Sequence, residues 1–296
     1  MIYRLVPVFK DYIWGGNKLS KYYGKNTDIY PLAESWELSF NKDGLTKTTE
    51  RKALTEVITE EEKGENCKRF PFFPVLIKFI DAKDNLSFQV HPSDEYALKN
   101  ENSFGKTEMW YIVDAEEGAG IYLGFKRDVK KEEVISAIKN NTITDMLNFY
   151  KVKKGQSFFI PAGTIHAIGK GCLIYEVQQN SNLTYRVYDY NRKDSNGNTR
   201  ELHIEKALKV LDLHKFTPIK FDGVLSKCEY FCVEKFAVHG ETAFTTDYTS
   251  FKCITCLSGE GYLNNEKMNQ GDSFFVSTNQ TVKITGNCNI IVTQVK

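Results

Sequence analysis

The sequence predicts a mainly β chain with one small helical insertion. Over much of its length, short runs rich in β-branched and aromatic residues are separated by glycine, proline and asparagine turns. Within many of these runs apolar and polar residues alternate, the period of a half-buried strand. In addition, Gly271-Asp-Ser-Phe-Phe-Val repeats Gly155-Gln-Ser-Phe-Phe-Ile. A repeated segment of this kind implies one structural plan used twice.

Taken in order, Met1 to Phe9 alternates as a strand, and Tyr12-Ile-Trp14-Gly-Gly16 reads as a glycine turn with Trp14 packed in the core. Residues 53–65 read as a charged helix closed near Gly64. Phe70 to Pro74 leads into a strand from Val75 to Ile80, interrupted by Lys78, a charge of the kind that protects sheet edges.

The next stretch carries the densest chemistry. In an extended strand Ser87, Gln89 and His91 share one face while Phe88 and Val90 share the other. Pro92 ends the strand, Pro-Ser-Asp-Glu opens a helical turn, and a strand from Thr107 to Val113 brings Glu108 back beside the first. Glutamine, histidine and glutamate on adjoining strands are three ligands of a nitrogen and oxygen metal site. Downstream, Ser157 to Ile160 forms a strand after Gly155, and the Pro161-Ala-Gly163 bend can aim His166 inward as the fourth ligand.

Residues 128–149 hold Val134, Ile135, Ala137 and Ile138 at helical spacing, followed by a second short amphipathic piece, and are expected to form a helical insertion. Strands follow from Cys172 to Gln179 and from Thr184 to Tyr190, then a polar turn over 191–197 and a helix from His203 to Leu213. His203 and His214 are expected to be surface or capping residues. From about Phe221 the strands shorten: Tyr230 to His239, Ser250 to Leu257, Gly261 to Asn264, Ser273 to Ser277 and Thr281 to Ile284. Regular short strands of this kind argue for a second β-sandwich or barrel.

Composition narrows the function. The 296 residues are 41% hydrophobic and 13% aromatic, enough to bury a large core. Lys plus Arg total 39 against 38 Asp plus Glu, so no general attraction draws the chain to nucleic acid or acidic membranes. No apolar run reaches the roughly 18 residues of a membrane span. The seven cysteines have no disulfide-framework spacing and no signal peptide precedes them, which points to the cytoplasm. Cys253-Ile-Thr-Cys256 has CxxC spacing, but on a strand its two thiols face opposite sides and cannot share a metal.

Gly155, Pro161, Gly163 and His166 are similar to the second motif of the cupin barrel, and Gln89-x-His91 with Glu108 to its first. More specifically, AESWELS (33–39), LSFQVHPSDEYA (86–97), GKTEMWYIVDA (105–115), IPAGTIHAIG (160–169) and IYEVQQNSNLTYRVYDYNR (174–192) resemble the short bacterial form of type I mannose-6-phosphate isomerase.

The resemblance implies two cupin-like, jelly-roll β-barrels. Residues 1–220 would form the catalytic, metal-binding domain and residues 221–296 a barrel without a metal site, since its repeat lacks the proline, glycine and histidine. It implies aldose–ketose interconversion of mannose 6-phosphate and fructose 6-phosphate with one divalent metal per chain, zinc by preference, on Gln89, His91, Glu108 and His166. Arg186, Glu176 and Lys106 would be catalytic, Ser87 and Lys78 would bind substrate, and Trp14 would stand near the pocket mouth. The chain would be a monomer or weak homo-oligomer whose partner is a small sugar phosphate.

The family often has aspartate four residues before the arginine, where this chain has Asn182, which cannot serve as a carboxylate base. Glu176, a lysine or metal-associated water would then accept the proton. A non-catalytic sugar-phosphate-binding protein and a metal-dependent dioxygenase are the alternatives. The first would keep the pocket without turnover, and the second would leave Lys78, Lys106 and Arg186 without evident duty.

Overall fold

The computed structural model of the chain describes residues 1–193 and 197–296. It is mainly β, with three principal sheets and short helices. In the six-stranded sheet, Val75–Ala82 lies between Cys172–Gln179 and Glu34–Leu38, with Glu108–Ala115 beyond Cys172–Gln179. The five-stranded sheet pairs Phe88–Val90 with His166–Ile168 on one side and Tyr185–Tyr188 on the other. The third sheet has eight strands, drawn mostly from the last third of the chain.

The cores show how the sheets are layered. Ile80, Trp110, Ile112 and Ile174 of the six-stranded sheet pack on Ile121, Leu123 and Ile168 of the five-stranded one. On its other face, Ile77, Phe79, Tyr111 and Tyr175 meet Val233, Cys253, Phe275 and Ile291 of the eight-stranded sheet. Covered on both sides, Val75–Ala82 and Cys172–Gln179 are buried at every position. Lys78 is therefore an interior charge of a central strand and not an edge charge. The outer face of the five-stranded sheet is closed by the helices Lys131–Lys139 and Ile204–Val210, whose Val134, Ile138 and Ala207 join Phe88 and Val90.

Several expected elements are redrawn by long-range pairing. The N-terminal run splits at Pro7: Ile2–Val6 pairs with Ser273–Val276 of the eight-stranded sheet, while Val8–Lys10 pairs with Glu34–Leu38. The charged segment forms two helices, Leu54–Val57 and Glu60–Lys63, because Thr59 starts the second with a capping box to Glu62 before Gly64 closes it. The end of the helical insertion is instead a strand, Leu147–Lys151, recruited by Gly120–Phe125.

The C-terminal strands are longer than their alternating cores. Cys232–Thr245 pairs along its full length with Thr281–Gln294. Lys252–Leu263 is continuous through a register shift after Cys256, and nearby Gly259 takes φ 79° where a β-carbon would run into the Asn287 carbonyl. On that strand Cys253 and Cys256 join different cores on opposite faces. Part of the expected polar turn over 191–197 lies outside the described residues.

Candidate active site

The Pro161–Gly163 bend is fixed from both sides. Gly163, at φ 88°, donates its N–H to the His91 carbonyl at 2.8 Å, and Thr164 donates back to the Pro161 carbonyl at 3.1 Å. The Thr164 carbonyl then accepts from His166 Nδ1 at 2.8 Å. The Leu183 carbonyl accepts from His91 Nδ1 at 2.9 Å. Each ring thus carries its proton on Nδ1 and turns an unprotonated Nε2 inward.

Those two nitrogens converge on Glu108. His166 Nε2 lies 3.3 Å from Glu108 Oε1 and His91 Nε2 lies 3.6 Å from Glu108 Oε2. All three residues are buried, and their donor atoms fall within 4.8 Å of one another. His166 Nε2 and Glu108 Oε1 have no hydrogen-bond partner. Buried polar atoms left orphaned in this way are costly unless something satisfies them. Burial and the nearby Lys106 hold His91 well below its ordinary value and His166 down to about 3. Two neutral imidazoles and one carboxylate are a donor set that fits a divalent metal. Gln89 faces His166 across one ladder and Arg186 across the other.

Above these groups lies a cavity of about 260 Å³. Of the residues expected at the site, Ser87, Lys78, Gln89, Lys106, Glu176 and Arg186 line it. His91, Glu108 and His166 adjoin it through Lys106, whose Nζ is 3.1 Å from His91 Nε2 and hydrogen-bonds Glu108 Oε2.

Lys78 Nζ sits 3.1 Å from Glu176 Oε2 and 3.4 Å from Glu34 Oε2. Trp110 Nε1 donates to Glu176 Oε1 at 2.7 Å, and Trp36 Nε1 donates to Glu34 Oε2 at 2.6 Å. Burial alone would raise Glu176, but Lys106, Lys78 and the indole N–H reverse the direction and hold it well below the usual carboxylate range. Burial dominates for Glu108 and pushes it up against the pull of Lys106.

Glu176 is therefore the partner of Lys78 and not of Arg186. Arg186 donates Nη1 to the Glu201 carbonyl at 2.9 Å, its backbone N–H donates to His203 Nδ1 at 3.1 Å, and its Nε is buried without a partner. His203 stands at the N-cap position of the Ile204–Val210 helix, in line with the capping expectation, and its ring ties that helix to the Arg186 strand. Trp14 serves both expectations: it is 4% exposed in the core between the sheets, and it lines the cavity beside Tyr12, whose ring stacks on it at 5.4 Å.

Asn182 also faces the cavity and donates Nδ2 to Asp43 Oδ2 at 3.0 Å. Sequence reasoning missed Arg200, which lines the cavity from beyond the polar turn. The signal available was the crowding of Arg186, Asp189, Arg192 and Arg200 in one stretch with few acids.

Stacked β-sheets enclosing a His–Glu–His group that could hold a metal, beneath a cavity where Lys78, Lys106, Arg186 and Arg200 stand with Glu34 and Glu176, define a cupin-type protein. Residues 2–144 match the model of the phosphomannose isomerase type I catalytic domain, and residues 223–295 that of the mannose-6-phosphate isomerase cupin domain. The chain belongs to the type I mannose-6-phosphate isomerase family. It is 35% identical over 308 residues to the probable mannose-6-phosphate isomerase GmuF of Bacillus subtilis, covering 97% of each. It is 37% identical over 272 residues to the mannose-6-phosphate isomerase ManA of the same organism, covering 86% of this chain and 85% of that protein. The crystal structure of a Bacillus subtilis mannose 6-phosphate isomerase superposes with a TM-score of 0.86 at 33% identity, over 99% of both chains. Among the described residues, no helix is long and apolar enough to cross a membrane.

Proposed function

We propose that this chain interconverts mannose 6-phosphate and fructose 6-phosphate, moving a proton between C1 and C2 through an enediolate. The observation that carries the reading is the pair of orphaned donors, His166 Nε2 and Glu108 Oε1, set beneath a cavity whose walls present Lys78, Lys106 and Arg186. The decisive experiment is an assay of the metal-loaded protein with mannose 6-phosphate, in which fructose 6-phosphate should appear. Absence of turnover in both directions would overturn the assignment.

A divalent metal, zinc by the character of these donors, would be held by Gln89, His91, Glu108 and His166 and would supply positive charge to the sugar oxygens. The chain's own groups do the rest. Lys106 brings an ammonium to the same end of the cavity and offers protons to O1 or O2. Lys78 and Ser87 hold sugar hydroxyls.

Glu176, kept ionised by Lys106 and Lys78, is the acceptor for the migrating proton, on the Oε2 that Lys78 Nζ faces at 3.1 Å. Arg186, which lines the cavity and keeps a buried Nε without a partner, stabilises charge as it develops on the enediolate. These roles match an aldose–ketose isomerase, in which the oxyanion needs donors fixed in advance and the proton needs a nearby acceptor.

Three wider readings accompany this one. The chain is read as two cupin-like barrels, the second without a metal, with the catalytic part over 1–220 and the second over 221–296. The N-terminal strand crosses to pair with Ser273–Val276. Support comes from the shared Ser-Phe-Phe strands and from His239, which is exposed and bonded to Asn287 Oδ1 at 2.9 Å. The protein is read as cytoplasmic, supported by its seven unpaired cysteines. It is read as a monomer or weak homo-oligomer, since each chain carries a full set of site residues.

A further inference from the structure

Charge is unevenly balanced along the cavity. At one end Lys78 pairs with Glu176 and Glu34, and Lys106 pairs with Glu108, so three carboxylates hold two lysines. At the other end Arg186 and Arg200 both line the wall. Among the described residues Arg186 forms no ion pair, while Arg200 shares the single carboxylate of Asp189 with Arg192. Arginine outnumbers acid there.

Asp189 also fixes how Arg200 is held. Arg200 donates Nε to Asp189 Oδ2 at 2.7 Å and Nη2 to Oδ1 at 2.6 Å, a fork that locks the guanidinium and leaves Nη1 outside the pair. The positions along the sheet give a direction. Phe88–Val90 runs from Ser87 to His91, with Arg186 opposite Gln89 and Tyr188 opposite Phe88. Asp189 therefore carries Arg200 towards the Ser87 end, while the His–Glu–His centre begins at His166, opposite Gln89, and extends to His91. Ser87 lies two residues from Gln89 and four from His91, about 7 to 13 Å of strand at the usual rise.

We propose that Arg200, clamped by Asp189, is the residue that anchors the phosphate, so that the sugar enters with C1 and C2 towards Lys106 and the metal-binding centre. This rests on the sugar-phosphate reading above. It divides the work of the two arginines: Arg200 binds a group that does not react, and Arg186 is free for oxygens that do. Binding a remote phosphate equally in ground and transition state lowers KM without altering kcat.

Arg200→Gln and Arg200→Lys should be compared with the unmodified protein for kinetics with mannose 6-phosphate, inhibition by inorganic phosphate, and metal content. In Arg200→Gln, KM should rise about 10- to 100-fold, as for loss of a charge-assisted hydrogen bond, with kcat within about threefold. The inhibition constant for phosphate should rise by a similar factor and metal content should not move. Arg200→Lys should fall between the two, since it restores charge but not the fork; it also carries the comparison if the glutamine variant does not fold. Unchanged KM and phosphate inhibition, or a fall in kcat at constant KM, would overturn the proposal. If no form isomerises the sugar phosphate, the functional reading has failed by itself. Calorimetric titration with inorganic phosphate then still tests the anchor, and equal affinity of the unmodified protein and Arg200→Gln would refute it.

Discussion

Glu108 Oε1 stands 3.3 Å from His166 Nε2, both atoms are buried, and neither has a hydrogen-bond partner. A neutral imidazole nitrogen facing a carboxylate oxygen without a proton between them is unfavourable in a dry interior. A shared cation removes the conflict. His166→Ala should therefore lower metal content from one per chain to near zero and activity with it, by about 10²-fold or more. Circular dichroism should change little, since the core of Ile80, Ile112 and Ile174 does not include the His166 ring. Full metal occupancy in the variant, measured by elemental analysis, would remove His166 from the ligand set.

Lys78 is the hub of a buried charge cluster with Glu176 and Glu34, its side chain only 6% exposed. Lys78→Met removes the cation and strands two carboxylates, so urea denaturation should show a loss of about 3–5 kcal/mol. Combining it with Glu176→Gln should recover part of that loss, because one of the stranded charges is then gone. A double variant no more stable than Lys78→Met would mean that the pair is not coupled.

The same cluster fixes a pH dependence. Glu176 is held below its ordinary value of 4.5, so folding favours its ionised form. Its contribution to stability is complete above pH 4.5 and is lost as pH falls through the depressed folded value. Thermal unfolding of Glu176→Gln should accordingly depend less on pH below 4.5 than that of the unmodified chain. Parallel curves over that range would show that Glu176 is not ionised by its neighbours.

Much of the centre was legible because its parts are local. Alternation put Ser87, Gln89 and His91 on one face, and the proline and glycine before His166 marked a bend whose N–H groups and carbonyls do orient the ring. What local pattern does not contain is partnership. Nothing near Ile2–Val6 says that it pairs with Ser273–Val276, and nothing near Lys78 says that its strand is central. Arg200 escaped for the same reason: its place on the cavity wall is set by Asp189 across the polar turn, a contact with no periodic signature. The long C-terminal strands were underestimated because their outer halves are exposed and polar, so the apolar alternation that marks a strand stops before the pairing does.

Arg186 is the remaining test of mechanism. Its strand is tied to the following helix through His203, its Nη1 is committed to the Glu201 carbonyl, and its Nε stays buried without a partner at the cavity wall. A donor held ready in this way costs little reorganisation when charge appears beside it, which is the condition for stabilising an enediolate. Lysine in its place would keep a point charge but lose the planar fork and the anchor to Glu201. If Arg186 acts on the transition state, Arg186→Lys should lower kcat and kcat/KM together by about 10²-fold or more, with KM nearly constant. If it grips the phosphate instead, KM should rise while kcat holds, the pattern expected for Arg200→Gln. Steady-state kinetics on the two variants side by side would separate the roles, and identical behaviour would mean that one site has been counted as two.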